Sequence, residues 1–177
     1  MRNLEAKFRL SDHAAAEAAA RAMGYVPQGV LHQHDTFFVV AHGKLKLRDE
    51  GHRAYMIGYA RGTHAELQLS EYHLVPVPDA AAMRAMLADA LGVLAEVRKA
   101  RTLLLHRHVR LHLDVVEGLG TFGELEAVLA DDADLDAERA FVNQTLAALG
   151  VRDDALIEGS YFEMASAAAP DAPGVRD

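Results

Sequence analysis

The sequence predicts an α+β protein, mainly antiparallel β: an eight-stranded closed barrel, or tunnel, with a charged lumen and helices packed outside. Three observations lead there. Residues 108–126, HVRLHLDVVEGLGTFGELE, alternate with a period of two, Arg110, His112 and Asp114 on one parity and Val109, Leu111, Leu113 and Val115 on the other, as in a strand with two unlike faces. Gly118 and Gly120 allow a reversal, after which Glu124 and Glu126 again share a face. The same division recurs elsewhere: Glu5, Lys7 and Arg9 in LEAKFRL, Lys44, Lys46 and Arg48 in KLKLR, Lys99 and Arg101 in EVRKARTLL. A soluble antiparallel sheet ordinarily turns its polar face to water. The sharper arrangement is inverted: ionic faces line a tunnel while Leu4, Ala6, Phe8, Leu45, Leu47, Leu111 and Leu113 lie under helices or a partner subunit. The two arrangements predict opposite burial for the same residues.

In chain order, a strand over 3–10 is followed by Ser11 or Asp12 as the cap of an alanine-rich helix that Gly24 ends. VLHQHDTFFVV, KLKLR and AYMIGYAR, separated by Gly43 and by the turn DEGH, read as three meandering strands, rich in the β-branched and aromatic residues that pleated surfaces favour. LQLSEYHLVPV is a fifth strand whose Pro76 and Pro78 point to an edge or an exit. Asp79 caps a second helix, AAAMRAMLADAL, closed by Gly92. Strands near 94–105, 108–116 and 121–129 come next, then a helix at about 135–149 ending at Gly150. SYFEM belongs to a short helical or irregular segment. One domain over 1–165 is expected, with 166–177, rich in Ala and Pro, as a disordered tail. Met23, Met83 and Met86 read as helix core.

Composition bounds the function. A net charge of −8 and a pI near 5.6 argue against a general affinity for nucleic acid or anionic membrane. Cysteine is absent, which excludes disulfides and thiolate metal sites and fits a reducing compartment. The charged, alternating N-terminus is unlike a signal peptide, and no apolar run approaches the roughly 18 residues that span a bilayer. A cytoplasmic protein is the expectation.

Burying this many charges without partners would cost several kcal/mol each, against a net domain stability of roughly 5–15 kcal/mol. A polyphosphate would neutralise the lysines and arginines, and arginine grips its oxygens two at a time. The carboxylates then suit a hard divalent cation, Mg²⁺ or Mn²⁺, that bridges to phosphate. A basic cage beside an acidic cluster points to triphosphate chemistry. His112, between Arg110 and Asp114, reads as a hydrogen-bond partner of a carboxylate or as a general base. His32 with His34, and His106 with His108, read as solvated strand ends. Gln68, Ser70 and Tyr72 share a face that would meet the leaving end or base of a substrate.

These motifs resemble the CYTH proteins, the triphosphate tunnel metalloenzymes that include class IV adenylyl cyclases and thiamine triphosphatases. Asn3-Leu4-Glu5-Ala6-Lys7 stands where the family has E-x-E-x-K, with Asn for the first Glu. QHDTFF, KLKLR, YAR, SEYHLVPV, VRKAR, RLHLDVVEGLGTFGELE and SYFEM follow in the order and spacing of the cyclase-like branch. The resemblance implies Glu5, Asp114, Glu124 and Glu126 as metal-site carboxylates, catalytic together with Lys7. It implies Lys7, Lys46, Arg48, Arg61, Lys99, Arg101 and Arg110 as the triphosphate cage. Lys44, at the strand's mouth, reads as solvated. The implied activity is cyclisation of ATP to cyclic AMP and pyrophosphate. Hydrolysis of tripolyphosphate or thiamine triphosphate is the alternative, and a catalytically silent polyphosphate- or nucleotide-binding module the second. Outward apolar strand faces allow a homodimer.

Overall fold

The computed structural model describes residues 2–59, 68–130, 132–157 and 159–168. The alternating segments all become strands: β1 (Arg2–Arg9), β2 (Val26–Phe38), β3 (Lys44–Asp49), β4 (Ala54–Tyr59), β5 (Gln68–Val77), β6 (Val93–His106), β7 (Val109–Val116) and β8 (Gly120–Leu129). Every ladder is antiparallel, in the order β1–β5–β4–β3–β2–β6–β7–β8, and β8 pairs back onto β1. The β1–β8 ladder runs the length of β1, whereas β1 meets β5 only over Arg2 to Glu5. Pro76 lies where β5 pairs with β4 and not with β1. β2 starts earlier than the expected Val30, because a register shift between Pro27 and Gly29, with Gly29 at φ 115°, absorbs two residues that strands disfavour.

The helices α1 (His13–Ala22), α2 (Ala80–Leu91) and α3 (Leu135–Ala148) lie on the outer surface of the sheet. Asp12 caps α1 by accepting from the Ala15 N–H at 3.0 Å, and Asp79 caps α2 by accepting from Ala82 at 2.9 Å. The apolar parity of β1, β7 and β8 (Leu4, Phe8, Leu111, Leu113, Leu125) is fully buried with Ala16 and Ala20 of α1 and Val142 and Leu146 of α3. α2 covers Phe38, Leu47, Ala54 and Val77 through Met83 and Leu87. Met86, expected in the core, instead faces outward and is 55% exposed. One outer contact fixes a register: Phe8 stands opposite Gly123, where a Cβ would come within 2.1 Å of its ring.

A short helix α4 (Tyr161–Ala168) follows a 3-10 turn at Asp153–Ala155. Its Tyr161, Phe162 and Met164 pack with Phe37, Val97, Val116 and Phe122. Phe37 and Phe122 share parity with the ionic face, so this cluster stoppers one end of the lumen. The helix continues through Ser166 to Ala168, past the expected start of the tail. No helix among the described residues is long and apolar enough to cross a membrane.

Candidate functional site

The ionic parity faces inward and is nearly as dry as the apolar one. Lys46, Lys99, Arg101, Asp114 and Glu124 are each under 9% exposed, and Asp114 is fully buried. Buried charge needs partners, and carboxylates on the same face supply them. Arg48 donates from Nε and Nη2 to the two oxygens of Asp35, both at 2.7 Å, and Lys46 donates to Asp35 at 2.9 Å. Arg101 grips Asp114 in the same two-pronged way at 2.7 and 2.6 Å and reaches Glu124 at 2.6 Å. Lys99 lies 3.2 Å from Asp114, and Lys7 donates to Glu124 at 2.5 Å. Lys7, Lys46, Arg48, Lys99 and Arg101 thus share three carboxylates through direct hydrogen bonds. Each arginine spends only part of its five-donor fork on its carboxylate.

The pairing shows in the ionisation of the groups. Burial alone would raise the Asp35, Asp114 and Glu124 carboxyls, but adjacent cations override it and hold all three below the usual carboxylate range. Arg48 and Arg101 are held charged by the same pairs against burial. Burial also works against Lys7, yet Glu124 raises its pKa. Lys99 differs: burial, then the neighbouring Arg101, pulls it down to about 7 despite Asp114. Its charge is therefore poised near neutrality, ready to be fixed by an arriving anion.

A second group adjoins these pairs. His112, Glu124 and Glu126 offer ligand atoms that all lie within 4.8 Å of one another, on the adjacent strands β7 and β8. Burial, then Arg101, keeps the imidazole less basic than usual. Glu5 stands opposite Glu126 in the β1–β8 ladder, and Arg110 approaches Glu126 to 3.7 Å with its side chain 41% exposed. Nitrogen and carboxylate donors converging from neighbouring strands fit a divalent cation.

Compared with expectation, the structure brings Lys7, Lys46, Arg48, Lys99, Arg101, Asp114 and Glu124 into one lumen, with Glu5, Glu126 and Arg110 on the same face. Asp114 lies one rung along the ladder from the level of Glu124, on the side away from Glu126, and Arg101 bridges Asp114 and Glu124. It stands opposite Arg101 and Phe122, while His112 stands opposite Glu124 and Arg110 opposite Glu126. Asp114 accepts from Lys99 and Arg101, and His112 stands beside Glu124. Arg61 lies outside the described residues, as do the side chains of Asn3, Gln68 and Ser70; Tyr72 approaches Tyr59 with ring centroids 5.9 Å apart. Lys44 is not merely solvated: it pairs with Glu163 of α4 at 2.6 Å.

Two residues escaped the sequence reading. Asp35 sits within QHDTFF on the parity of Gln33 and Phe37, so alternation alone would have placed it inside. Tyr161 is 6% exposed, with the ammonium groups of Lys7 and Lys99 at 4.7 and 4.8 Å from its ring centre. Burial, then the Glu124 and Asp114 charges, raises its phenol far above the ordinary value, so it stays neutral. The histidine pairs are otherwise engaged: His32 is exposed, His34 lies 3.2 Å from Glu96, His106 donates to the Gly24 carbonyl at 3.1 Å and His108 meets Glu138 at 2.7 Å.

The CYTH domain family matches residues 1–161. The chain belongs to the CYTH family of triphosphate tunnel proteins. No curated protein matches the chain. Among solved structures, PH1012 from Pyrococcus horikoshii OT3 superposes with a TM-score of 0.80 at 18% identity, covering 91% of this chain and 98% of that one. A candidate adenylate cyclase from Vibrio parahaemolyticus gives 0.71 at 17% identity, covering 92% and 96%. A candidate adenylyl cyclase from Hippeastrum, described with a dominant triphosphatase activity, gives 0.67 at 18%, covering 94% and 96%. At such identities the likeness speaks for the fold, an α+β CYTH architecture around an eight-stranded antiparallel sheet.

Proposed function

We propose that this CYTH protein is a metal-dependent enzyme that converts ATP to cyclic AMP and pyrophosphate within its lumen. The observation that carries the reading is the convergence of five cations on one inward face, Lys7, Lys46, Arg48, Lys99 and Arg101, whose direct hydrogen bonds go to Asp35, Asp114 and Glu124. A triphosphate would offer its anionic oxygens to these donors, and the carboxylates hold the arginine forks in fixed orientations before it arrives, which is where catalysis by charge stabilisation gains most. In cyclisation the ribose 3′-oxygen forms a bond to the α-phosphorus as the bond from that phosphorus to the bridging oxygen breaks. Pyrophosphate leaves with the electron pair, and the proton of the 3′-hydroxyl passes to solvent water. A divalent cation at Glu5, Glu124 and Glu126 would supply charge stabilisation at the attacking and leaving oxygens. Lys7, Lys99 and Arg101 would hold the departing phosphates, and Lys46 and Arg48 would grip the chain from β3, two strands from β6. Arg110, at the exposed rim beside Glu126, and Arg61 complete the proposed cage.

A second reading, hydrolysis of a terminal phosphate by water, is favoured by the triphosphatase described for the Hippeastrum structure, since the same cage serves both reactions. Incubating the protein with ATP or tripolyphosphate and Mn²⁺ or Mg²⁺, then resolving cyclic AMP, pyrophosphate and phosphate, separates the two. Binding without any product would make the chain a polyphosphate- or nucleotide-binding module. Glu126→Gln is expected to abolish metal-dependent turnover with the fold intact by circular dichroism; unchanged metal titration curves would refute its role.

A further inference from the structure

We propose that His112 is itself a ligand of the divalent cation, through Nδ1, and that this nitrogen biases the site toward first-row transition ions over Mg²⁺. The inference rests on the metal-dependent reading above and deepens it. Among the described residues, His112 Nδ1 is buried and without a hydrogen-bond partner, in a side chain only 6% exposed. A buried polar atom left unpaired costs about 1–3 kcal/mol, so an orphan nitrogen aimed at two carboxylates asks what it is held for. It lies 3.5 Å from Glu124 Oε2 and 3.8 Å from Glu126 Oε1. Those separations are longer than a good hydrogen bond, and they fall between the distances expected of neighbouring and opposite donors around one ion. With metal–ligand bonds of ~2.1 Å, neighbouring ligands of an octahedron lie ~3 Å apart and opposite ones ~4.2 Å.

The backbone makes the arrangement firm. His112 stands opposite Glu124 in the β7–β8 ladder, and Glu126 follows on the same face of β8. On the outer parity, Leu111, Leu113 and Leu125 are fully buried beneath α1 and α3, which fixes the strands that carry all three donors. A hydrogen-bonding role for His112 would bring it within about 3.2 Å of a carboxylate; the observed gap leaves room for an ion between them. Mg²⁺ favours all-oxygen surroundings, whereas imidazole suits later divalent ions and gives them an advantage at a mixed site.

The test uses the full chain loaded with Mn²⁺, with and without tripolyphosphate, and electron spin-echo modulation to detect ¹⁴N bound to the ion. Wild type is expected to show histidine nitrogen coupling, and His112→Gln to lose it. Calorimetry is expected to show Mn²⁺ binding weakened about 10–100-fold by His112→Gln, and Mg²⁺ binding weakened less. Mn²⁺ bound without ¹⁴N coupling in wild type would overturn the assignment while leaving the metal-dependent reading in place. Coupling that persists in His112→Gln would overturn it as well, by pointing to another histidine. Failure of wild type to bind Mn²⁺, even with tripolyphosphate, would overturn both. Where His112→Gln fails to fold, His112→Asn is measured in its place, with loss of the coupling expected and its persistence overturning the assignment.

Discussion

The two faces of the wall formed by β6, β7 and β8 are both largely buried, for opposite reasons. Leu111, Leu113 and Leu125 face outward and are fully buried because α1 and α3 remove apolar surface from water. Asp114, Glu124 and Arg101 face inward and are almost as buried, yet they gain little from leaving water and depend on one another. Burial on the outside is a source of stability. Burial on the inside is a cost, offset by pairs that a polyanion is able to replace.

The largest expected effect tests the inner face. Asp114→Ala takes the carboxylate partner from Lys99 and one of two from Arg101, and should cost about 3–5 kcal/mol. Because a triphosphate offers the same oxygens, tripolyphosphate should restore much of the lost stability in urea unfolding. A loss indifferent to the ligand would break the comparison. On the outer face, Leu111→Ala should cost about 3 kcal/mol through lost transfer energy and the cavity left behind, and tripolyphosphate should rescue it no better than it stabilises wild type.

A smaller effect comes from Lys99, whose pKa of about 7 lies below the 10.5 of a free lysine. Above pH 7 the folded protein loses this charge, so tripolyphosphate affinity measured by calorimetry should fall by up to about tenfold per pH unit relative to Lys99→Arg, which stays charged. Stability moves the other way. Between about 7 and 10.5 the unfolded chain binds the proton that the fold has released, so this group's penalty is full below pH 7 and fades as pH rises toward 10.5. Parallel profiles for Lys99→Arg and wild type would remove Lys99 from the cage. The smallest effect belongs to the exposed Lys44–Glu163 pair: Lys44→Ala should cost at most about 1 kcal/mol, less in high salt.

The strands, the three long helices and the caps Asp12 and Asp79 were legible because alternation, helix-stopping glycines and capping residues are local signals. So was the sharing of one face by Lys7, Arg101 and Glu124, which parity alone dictates. Height along the strand was not legible. Parity put Asp114 among the acids, and only the register set it against Arg101 and left His112 beside Glu124. The partnership of α4 with the lumen was likewise hidden, since Tyr161 meets Phe122 and Lys7 across a chain separation that no local pattern encodes.

The fit of the Phe8 ring over Gly123 has a consequence beyond packing. The next rung along the same ladder is Lys7 against Glu124, so a lock on the outside of the wall sets which ions meet within it. A slip of β1 by one residue would jam an aromatic ring against a side chain and turn Glu5 and Lys7 to the wrong side. Alignment is thus stored away from the chemistry, and the lumen is free to change its reactive groups without losing its place.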